Sequence, residues 1–412
     1  MKIAFTGPYC TANFGDWAIL INNIYDINPD SIVVFTYSRN FPHSTLSYYL
    51  DKDTYKTQEV VLKNNTLNSN QVITPSEILS GVENIDRIEE EISSIDVLCV
   101  SGGGWLNDSW CSRTDKFIKV VTPIIIAQKR KIPIIFMSQG IGPIVSYKEN
   151  LRLFFNYLRN ASISLRDDYL SPSYLSEILS PYRNNKIEFL PDDLLFLNNK
   201  FTNPKLDLDK KEKFIVLVIH ESMDYIITHV EDFVEFESKL YEKYGLSIVL
   251  LPFDLVHFGA EQSKYLHQHM KHSKLIDINE RKFIPIETVN SYIKNAELVI
   301  TSRYHAGIFA LSSKTPFICK LYEFGNGTYY SYNKLLGALE NVFSGTIYEE
   351  TLFFSSFSWK KIFDEVLENL KDISRKQKKL YDSETYQENM LCLLTNRLKY
   401  IKTNFIKKVI VT

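Results

Sequence analysis

The sequence lacks an excess of either charge: 47 Lys and Arg stand against 49 Asp and Glu, a formal net charge of −2. No global field therefore draws the chain to nucleic acid, and any anion-binding site has to be built locally. Cysteine is scarce, and the five present (Cys10, Cys99, Cys111, Cys319, Cys392) stand far apart with no C-x-x-C pair. That scatter fits free thiols in a reducing compartment better than a disulfide framework or a zinc site. No uninterrupted apolar stretch approaches the roughly 20 residues that span a bilayer. The apolar run in residues 1–7 is too short before its glycine to read as a secretory leader. These absences predict a soluble, cytoplasmic protein. The dinucleotide spacing G-x-G-x-x-G is also missing. What remains is 45% apolar and 23% charged, the mixture of an ordinary globular protein, and 412 residues predict more than one domain.

Short β-rich runs alternate with amphipathic helical stretches. In the first half the strand candidates are 2–6, 31–37, 97–101, 134–138 and 162–166. Helix candidates lie at 17–25, 77–93, 115–130, 148–160 and 167–179. Several strands are unbroken apolar runs, the pattern of parallel strands covered on both faces, which predicts a doubly wound α/β sheet. Residues 198–213 lose hydrophobic periodicity and gain charge, as a linker would. A second α/β series follows, with strands at 214–219, 247–252, 275–278, 298–301 and 317–320. The expected domains are 1–197, 214–345 and a helical tail 346–412 packing back on the core, with a ligand cleft between the two α/β domains. The polar segment 40–72 fits no element.

The segments able to carry chemistry lie where strands end. The first strand runs into Gly7-Pro8-Tyr9-Cys10-Thr11-Ala12-Asn13-Phe14-Gly15-Asp16, a glycine loop before a helix. Asp16 there either caps the helix or faces a ligand. Ser101-Gly102-Gly103-Gly104-Trp105-Leu106-Asn107 follows the next apolar run, and its glycines allow close approach by a ligand or by another loop. In Gln139-Gly140-Ile141-Gly142-Pro143, the Gln139 amide suits a sugar hydroxyl or the loop's own backbone. Arg166 ends a strand beside Asp167, as a salt-bridge partner or a ligand clamp.

The most informative segment is Thr301-Ser302-Arg303-Tyr304-His305-Ala306-Gly307. It puts a guanidinium and an imidazole at a helix N-terminus, where the dipole and the unbonded N–H groups favour an anion. Histidine can exchange a proton near neutral pH. His220-Glu221 ends the first strand of the second series, as a cleft acid or a surface pair. His267, His269 and His272 offer only two rings on one helix face and no third metal ligand. The basic, partly apolar stretch 397–408 suits peripheral contact with an anionic membrane surface or, in preference, a helix docked on the first domain.

Taken in order, the Asn13-Phe14-Gly15-Asp16 loop, Gly102-Gly103-Gly104, Gln139-Gly140-Ile141-Gly142-Pro143, Leu165-Arg166-Asp167 and Ser302-Arg303-Tyr304-His305 resemble the polysaccharide pyruvyltransferase family. The resemblance spans roughly the first four-fifths of the chain. It implies two Rossmann-like domains facing a cleft, similar to GT-B glycosyltransferases. It also implies a transferase that moves a pyruvyl group from phosphoenolpyruvate onto a sugar of a cell-surface polysaccharide precursor, often lipid-linked, as a ketal. No separate cofactor and no metal are called for. Acceptor binding falls to the N-terminal domain and donor binding to the C-terminal one.

His305, Arg303 and Asp16 take the catalytic roles in this reading. Asn13, Gly15, Gly103, Gly104, Asn107, Gln139, Arg166, Glu221, Ser302 and Tyr304 take substrate-binding ones. The sequence departs from the family at two places. Gly325 stands where a lysine usually follows Tyr322, leaving Lys320 or Lys334 as replacements, and His220-Glu221 stands where an arginine-bearing turn is common. The rival readings are a GT-B glycosyltransferase using a nucleotide-sugar and a catalytically degenerate glycan-binding member.

Overall fold

The computed structural model describes residues 1–9, 13–37, 43–63, 72–159, 161–179, 186–202, 212–254, 259–276, 278, 283–320, 330–355 and 358–406. Two compact units account for the chain. One comprises Met1–Cys10, Asp16–Asp193 and Leu393–Thr412; the other comprises Thr11–Gly15 and Leu194–Cys392. The segment 346–412 is thus shared between the units. Most of the stretch 198–213 lies outside the described residues.

The first unit is built on β1 (Lys2–Thr6), β2 (Ser31–Thr36), β3 (Tyr55–Glu59), β4 (Val97–Val100), β5 (Gly103–Leu106), β6 (Ile134–Ile141), β7 (Ala161–Leu165) and β8 (Lys186–Phe189). They form a parallel sheet ordered β3-β2-β1-β4-β6-β7-β8, with β5 pairing β6 off this path. Residues of β1, β4, β6 and β7 are almost all buried, which is why they read as unbroken apolar runs. The second unit carries β9 (Phe214–Val218), β10 (Ser247–Leu250), β11 (Ser273–Leu275), β12 (Val299–Thr301), β13 (Phe317–Lys320) and β14 (Phe354–Ser355). Its parallel order is β11-β10-β9-β12-β13-β14.

In each sheet the chain winds outward from its first strand, then returns to add strands on that strand's other side. The reversal lies between β1 and β4 in one sheet and between β9 and β12 in the other. At such a point the connections leave in opposite directions, so a crevice opens beyond the strands' carboxyl ends.

Local chemistry accounts for the places where the structure departs from the sequence reading. The helix expected at 77–93 is two helices, Pro75–Ser80 and Ile85–Ser93, the first opened by a Thr74–Glu77 capping box and closed at Gly81. Segment 40–72, unassigned from sequence, supplies the helix His43–Tyr49 and the edge strand β3, which is too short and polar to show a period. Residues 139–141 belong to β6, so Gln139 and Gly140 are part of a strand and not of a turn.

Helix Trp359–Tyr381 buries Trp359, Ile362, Phe363, Val366, Leu370 and Ile373, a spacing of three and four that lays one stripe on the second unit. The last helix, Glu384–Ile401, carries Arg397 and Tyr400 into the first unit's core. Of the stretch 397–408, residues 407 and 408 lie outside the described residues.

Candidate functional site

Within the second unit, register alone assembles a charged cluster. Val218 of β9 pairs with Thr301 of β12, and Thr301 pairs with Cys319 of β13. The residues just beyond these pairs, His220-Glu221, Ser302-Arg303 and Lys320, therefore leave neighbouring strands side by side at the reversal point. Ser302 fixes this edge: its Oγ accepts from the His220 backbone N–H at 2.9 Å. Its side chain is buried, so it braces the site and does not face a ligand. Thr301 Oγ1 likewise accepts from Arg303 N–H at 2.8 Å, which sets the turn into the helix Tyr304–Ser313. Its N-cap residue, Arg303, makes no side-chain capping bond.

Arg303 Nη2 donates to Asp254 Oδ2 at 2.8 Å and to His220 Nδ1 at 2.7 Å. The three side chains are 21% (Arg303), 12% (Asp254) and 42% (His220) exposed, so the cluster is desolvated on one side and open on the other. Burial, then the adjacent guanidinium, lowers the His220 pKa to about 4, so the ring is neutral near pH 7. Asp254 follows β10 by four residues and was not singled out from the sequence. The available signal was an acid just past an apolar strand at the edge where β9 and β12 also end.

His305 sits in the first turn of the same helix, half-buried, with Tyr304 edge-on to it at a centroid distance of 5.1 Å. The glycine loop comes to meet it. Phe14 packs its ring on Phe253 (4.7 Å) and Phe309 (5.7 Å), and its N–H donates to Phe253 O at 3.0 Å, while Asn13 bridges Asp254. The result is that a Cβ at residue 15 would lie 1.8 Å from His305 Nδ1. Glycine at 15 is thus a steric requirement of His305. Asn13 Oδ1 accepts from Gly15 N–H at 3.2 Å at the start of the helix Phe14–Ile27, the capping position the sequence reading gave to Asp16.

Of the cleft acid or surface pair expected at His220-Glu221, Glu221 is the more enclosed member. Its Oε1 accepts from Lys320 Nζ at 2.8 Å and from Trp359 Nε1 at 2.7 Å, and both members of the ion pair are nearly buried. Lys320, the replacement suggested for the family lysine, therefore stands beside the reversal point but paired. The second suggested replacement, Lys334, lies in the helix Tyr330–Val342 and is partly exposed. The stretch holding Tyr322 and Gly325 lies outside the described residues.

The first unit's candidates are mostly drawn inward. Arg166 is 2% exposed and ion-paired with Asp192 at 3.1 Å, so in this conformation it braces the strand ends and does not reach a ligand. Gln139 Nε2 donates to the carbonyls of Val100, Ser101 and Met137, which makes it a backbone tie and not a sugar contact. Asn107 is a helix cap, accepting from Trp110 N–H at 3.0 Å. Gly102 yields to an internal group, since a Cβ there would lie 2.2 Å from Asp193 Oδ2. Gly103 and Gly104 form the start of β5 instead of a loop; Gly104 is partly exposed and Gly103 lies against Asp16, itself buried.

The sequence-flagged histidines separate: His267 Nδ1 bonds Ser273 Oγ, His269 Nδ1 bonds Tyr265 O, and His272 stacks on Tyr241. Among the described residues no three side chains converge as a metal site. The four described cysteines are unbridged, and no described helix is long and apolar enough to cross a membrane.

Comparison with known proteins agrees with this architecture. The chain is similar in structure to a putative UDP-N-acetylglucosamine 2-epimerase from Listeria monocytogenes (TM-score 0.59, 11% identity, covering 98% of this chain and 96% of that one). It is also similar to UDP-GlcNAc 2-epimerase from Neisseria meningitidis bound to UDP-GlcNAc (0.58, 13%, 97% and 100%). The Methanocaldococcus jannaschii UDP-GlcNAc 2-epimerase follows at 0.52, with 16% identity over 96% and 100% of the two chains. At such identities the likeness establishes the fold, two Rossmann-like α/β units of the GT-B kind, and nothing about the reaction. Comparison with curated protein sequences gives no match. The sequence family described as "Polysaccharide pyruvyl transferase" matches residues 13–323, a span running from the loop that packs on His305 to just beyond Lys320, and the chain belongs to that family.

Proposed function

We propose that this transferase moves the pyruvyl unit of phosphoenolpyruvate onto two hydroxyls of one sugar in a cell-surface polysaccharide precursor, forming a cyclic ketal and releasing inorganic phosphate. The observation that carries this reading is the placing of Arg303 and His305 two positions apart at a helix N-terminus beside the β9/β12 reversal. Phosphoenolpyruvate is a small, doubly anionic molecule and needs such a place: donors and positive charge converging on a partly desolvated spot.

In the proposed sequence Arg303 holds one anionic group of the donor. His305, as imidazolium, gives a proton to C3; the C2–C3 π electrons form the new C–H bond and C2 becomes electrophilic. A sugar hydroxyl bonds to C2 and loses its proton. The C2–O bond to phosphate then breaks, phosphate leaving with its electron pair, and the second hydroxyl closes the ketal. Donor binding belongs to the C-terminal unit and acceptor binding to the N-terminal one, where Asp16 orients the hydroxyls beside Gly103 and Gly104. The reaction consists of proton transfers and exchange of C–O bonds, so it calls for no nucleotide, nicotinamide or metal. The setting is the cytoplasm, with peripheral membrane contact where the sugar is lipid-linked.

The test is incubation with phosphoenolpyruvate and a panel of sugar acceptors. The expected result is a mass gain matching a pyruvyl ketal together with equimolar phosphate. Thermal stabilisation by a nucleoside diphosphate and none by phosphoenolpyruvate would instead favour a nucleotide-sugar transferase. Glycan binding without phosphate release would mark a non-catalytic member.

A further inference from the structure

The last helix, Glu384–Ile401, and the π-helical turn Lys402–Ile406 that extends it have two unlike edges. The inner edge is pinned by directed bonds. Arg397 is ion-paired with Asp193 and Asp26, and the Tyr400 hydroxyl donates to Phe136 O at 3.1 Å. Ser162 Oγ donates to Asn404 Oδ1 at 3.1 Å, and Phe405 is fully buried. These residues fix the helix's rotation, so the outer edge cannot turn inward. That outer edge is apolar. Leu391, Leu398 and Ile406 are 66%, 56% and 50% exposed, and the half-buried Leu394 lies between the first two at helical spacing. Among the described residues, three of the eleven strongly exposed large apolar side chains fall in these sixteen positions. Such exposure is concentrated, as at an interaction surface, and not scattered. The charge on the stretch is of one sign. From Asn389 to Thr412 the sequence has no Asp or Glu, against Arg397, Lys399, Lys402, Lys407 and Lys408. Arg397 is spent on the core, while Lys399 and Lys402 are exposed.

We propose that this outer edge is a membrane-contact surface: Leu391, Leu398 and Ile406 enter the interfacial layer of an anionic bilayer while Lys399 and Lys402 meet its headgroups. Apolar side chains interleaved with lysines, with no acid among them, are the pattern of a helix that lies in such an interface. A second copy of this chain fits less well, because a two-fold contact through this edge would bring the same unbalanced lysines together. The contact holds the first unit, into whose core Arg397 and Tyr400 tie the helix, against the lipid. Its use rests on the acceptor reading given above: a lipid-linked sugar is met where it resides, by the unit assigned to bind it. The binding itself requires nothing of the donor or of the reaction.

The full chain is sedimented with vesicles of phosphatidylcholine alone and with vesicles of phosphatidylcholine and phosphatidylglycerol in equal parts. The wild type should pellet with the mixed vesicles and stay in solution with the neutral ones, and added salt should release part of it. Leu398→Gln should weaken binding to the mixed vesicles by about tenfold, the loss of one partly inserted leucine. Lys399→Gln and Lys402→Gln should each weaken it by about fivefold. All three side chains are exposed, so the variants' thermal melts should match the wild type's. A wild type that does not pellet with the mixed vesicles, or a Leu398→Gln variant that pellets as well as the wild type, overturns the proposal. A wild-type dimer that Leu398→Gln dissolves in sedimentation velocity overturns it too, since the edge would then be an interface between copies. Turnover of a soluble, lipid-free acceptor separates this proposal from the pyruvyl reading. If vesicles bind the wild type while no acceptor is converted, the pyruvyl reading falls and the surface stands. Turnover without vesicle binding gives the reverse.

Discussion

The two units carry the same device, a reversal point in a parallel sheet with charged side chains at its edge, yet they use it differently. In the first unit the charges are sealed. Arg397 and Asp193 are 1% and 0% exposed and ion-paired, Arg397 also holds Asp26, and Asp193 takes further bonds from Asn23 (3.0 Å) and Ser138 (2.9 Å). Tyr9 is buried at the end of β1 within the same electrostatic neighbourhood. In the second unit Arg303, Asp254 and His220 meet in comparable bonds but stay partly open. A cluster whose donors are all turned to internal partners serves to register strands and helices; one half exposed to water can still trade a solvent contact for a ligand. Exposure, and not the density of charge, marks the candidate site.

The largest effect should come from breaking the sealed cluster. Arg397→Met leaves the fully buried Asp193 without its cation, and removing one partner of such a pair costs about 3–5 kcal/mol. A lowered thermal midpoint should follow. A melt like the wild type's would mean that water reaches this carboxylate and the contrast between the units is false.

His305→Ala should act oppositely, with turnover falling by on the order of 10²-fold or more while the melt changes little. The phosphate-release rate reads this, and an undiminished rate would remove His305 as the proton donor. Gly15→Ala tests the same ring sterically: with 1.8 Å between the added methyl carbon and Nδ1, the ring or the loop has to move. Misplacement of about 1 Å costs up to roughly 10²-fold in rate, so single-turnover rates should fall between those of the wild type and His305→Ala.

The smallest effect is in pH. His220 has its pKa lowered to about 4 in the folded chain, so folding favours the neutral ring. The unfolded chain binds that proton near pH 6.5, so the contribution to stability is complete above about 6.5 and is lost as pH falls toward 4. His220→Asn should flatten that part of a midpoint-against-pH curve. A curve unchanged by the substitution would show that the ring is not held neutral.

Much of this was legible in the chain. Apolar runs such as Leu298-Val299-Ile300, just before Thr301-Ser302-Arg303-Tyr304-His305, announce a buried parallel strand followed by a helix start, because burial on both faces removes alternation. The glycine motifs were visible too, but their reasons were not. Gly15 answers to His305, 290 positions away in the numbering, and Gly102 answers to Asp193. A glycine declares that something comes close without declaring what. Arg166 and Gln139 look like ligand contacts in a linear motif, and become internal ties once Asp192 and the carbonyls of β4 and β6 are beside them. Asp254 escaped notice because a lone acid after a strand has no local pattern.

The sequence by itself determined most of the buried strands, the parallel class of the sheets and the helix terminus that sets Arg303 and His305 two positions apart, since these follow from hydrophobic period and chain-local geometry. Only the tertiary structure decided which charged groups are spent on one another and which remain turned to solvent. Strand register, which places His220 beside Arg303 and Lys320 beside Glu221, is a long-range property that no local window contains.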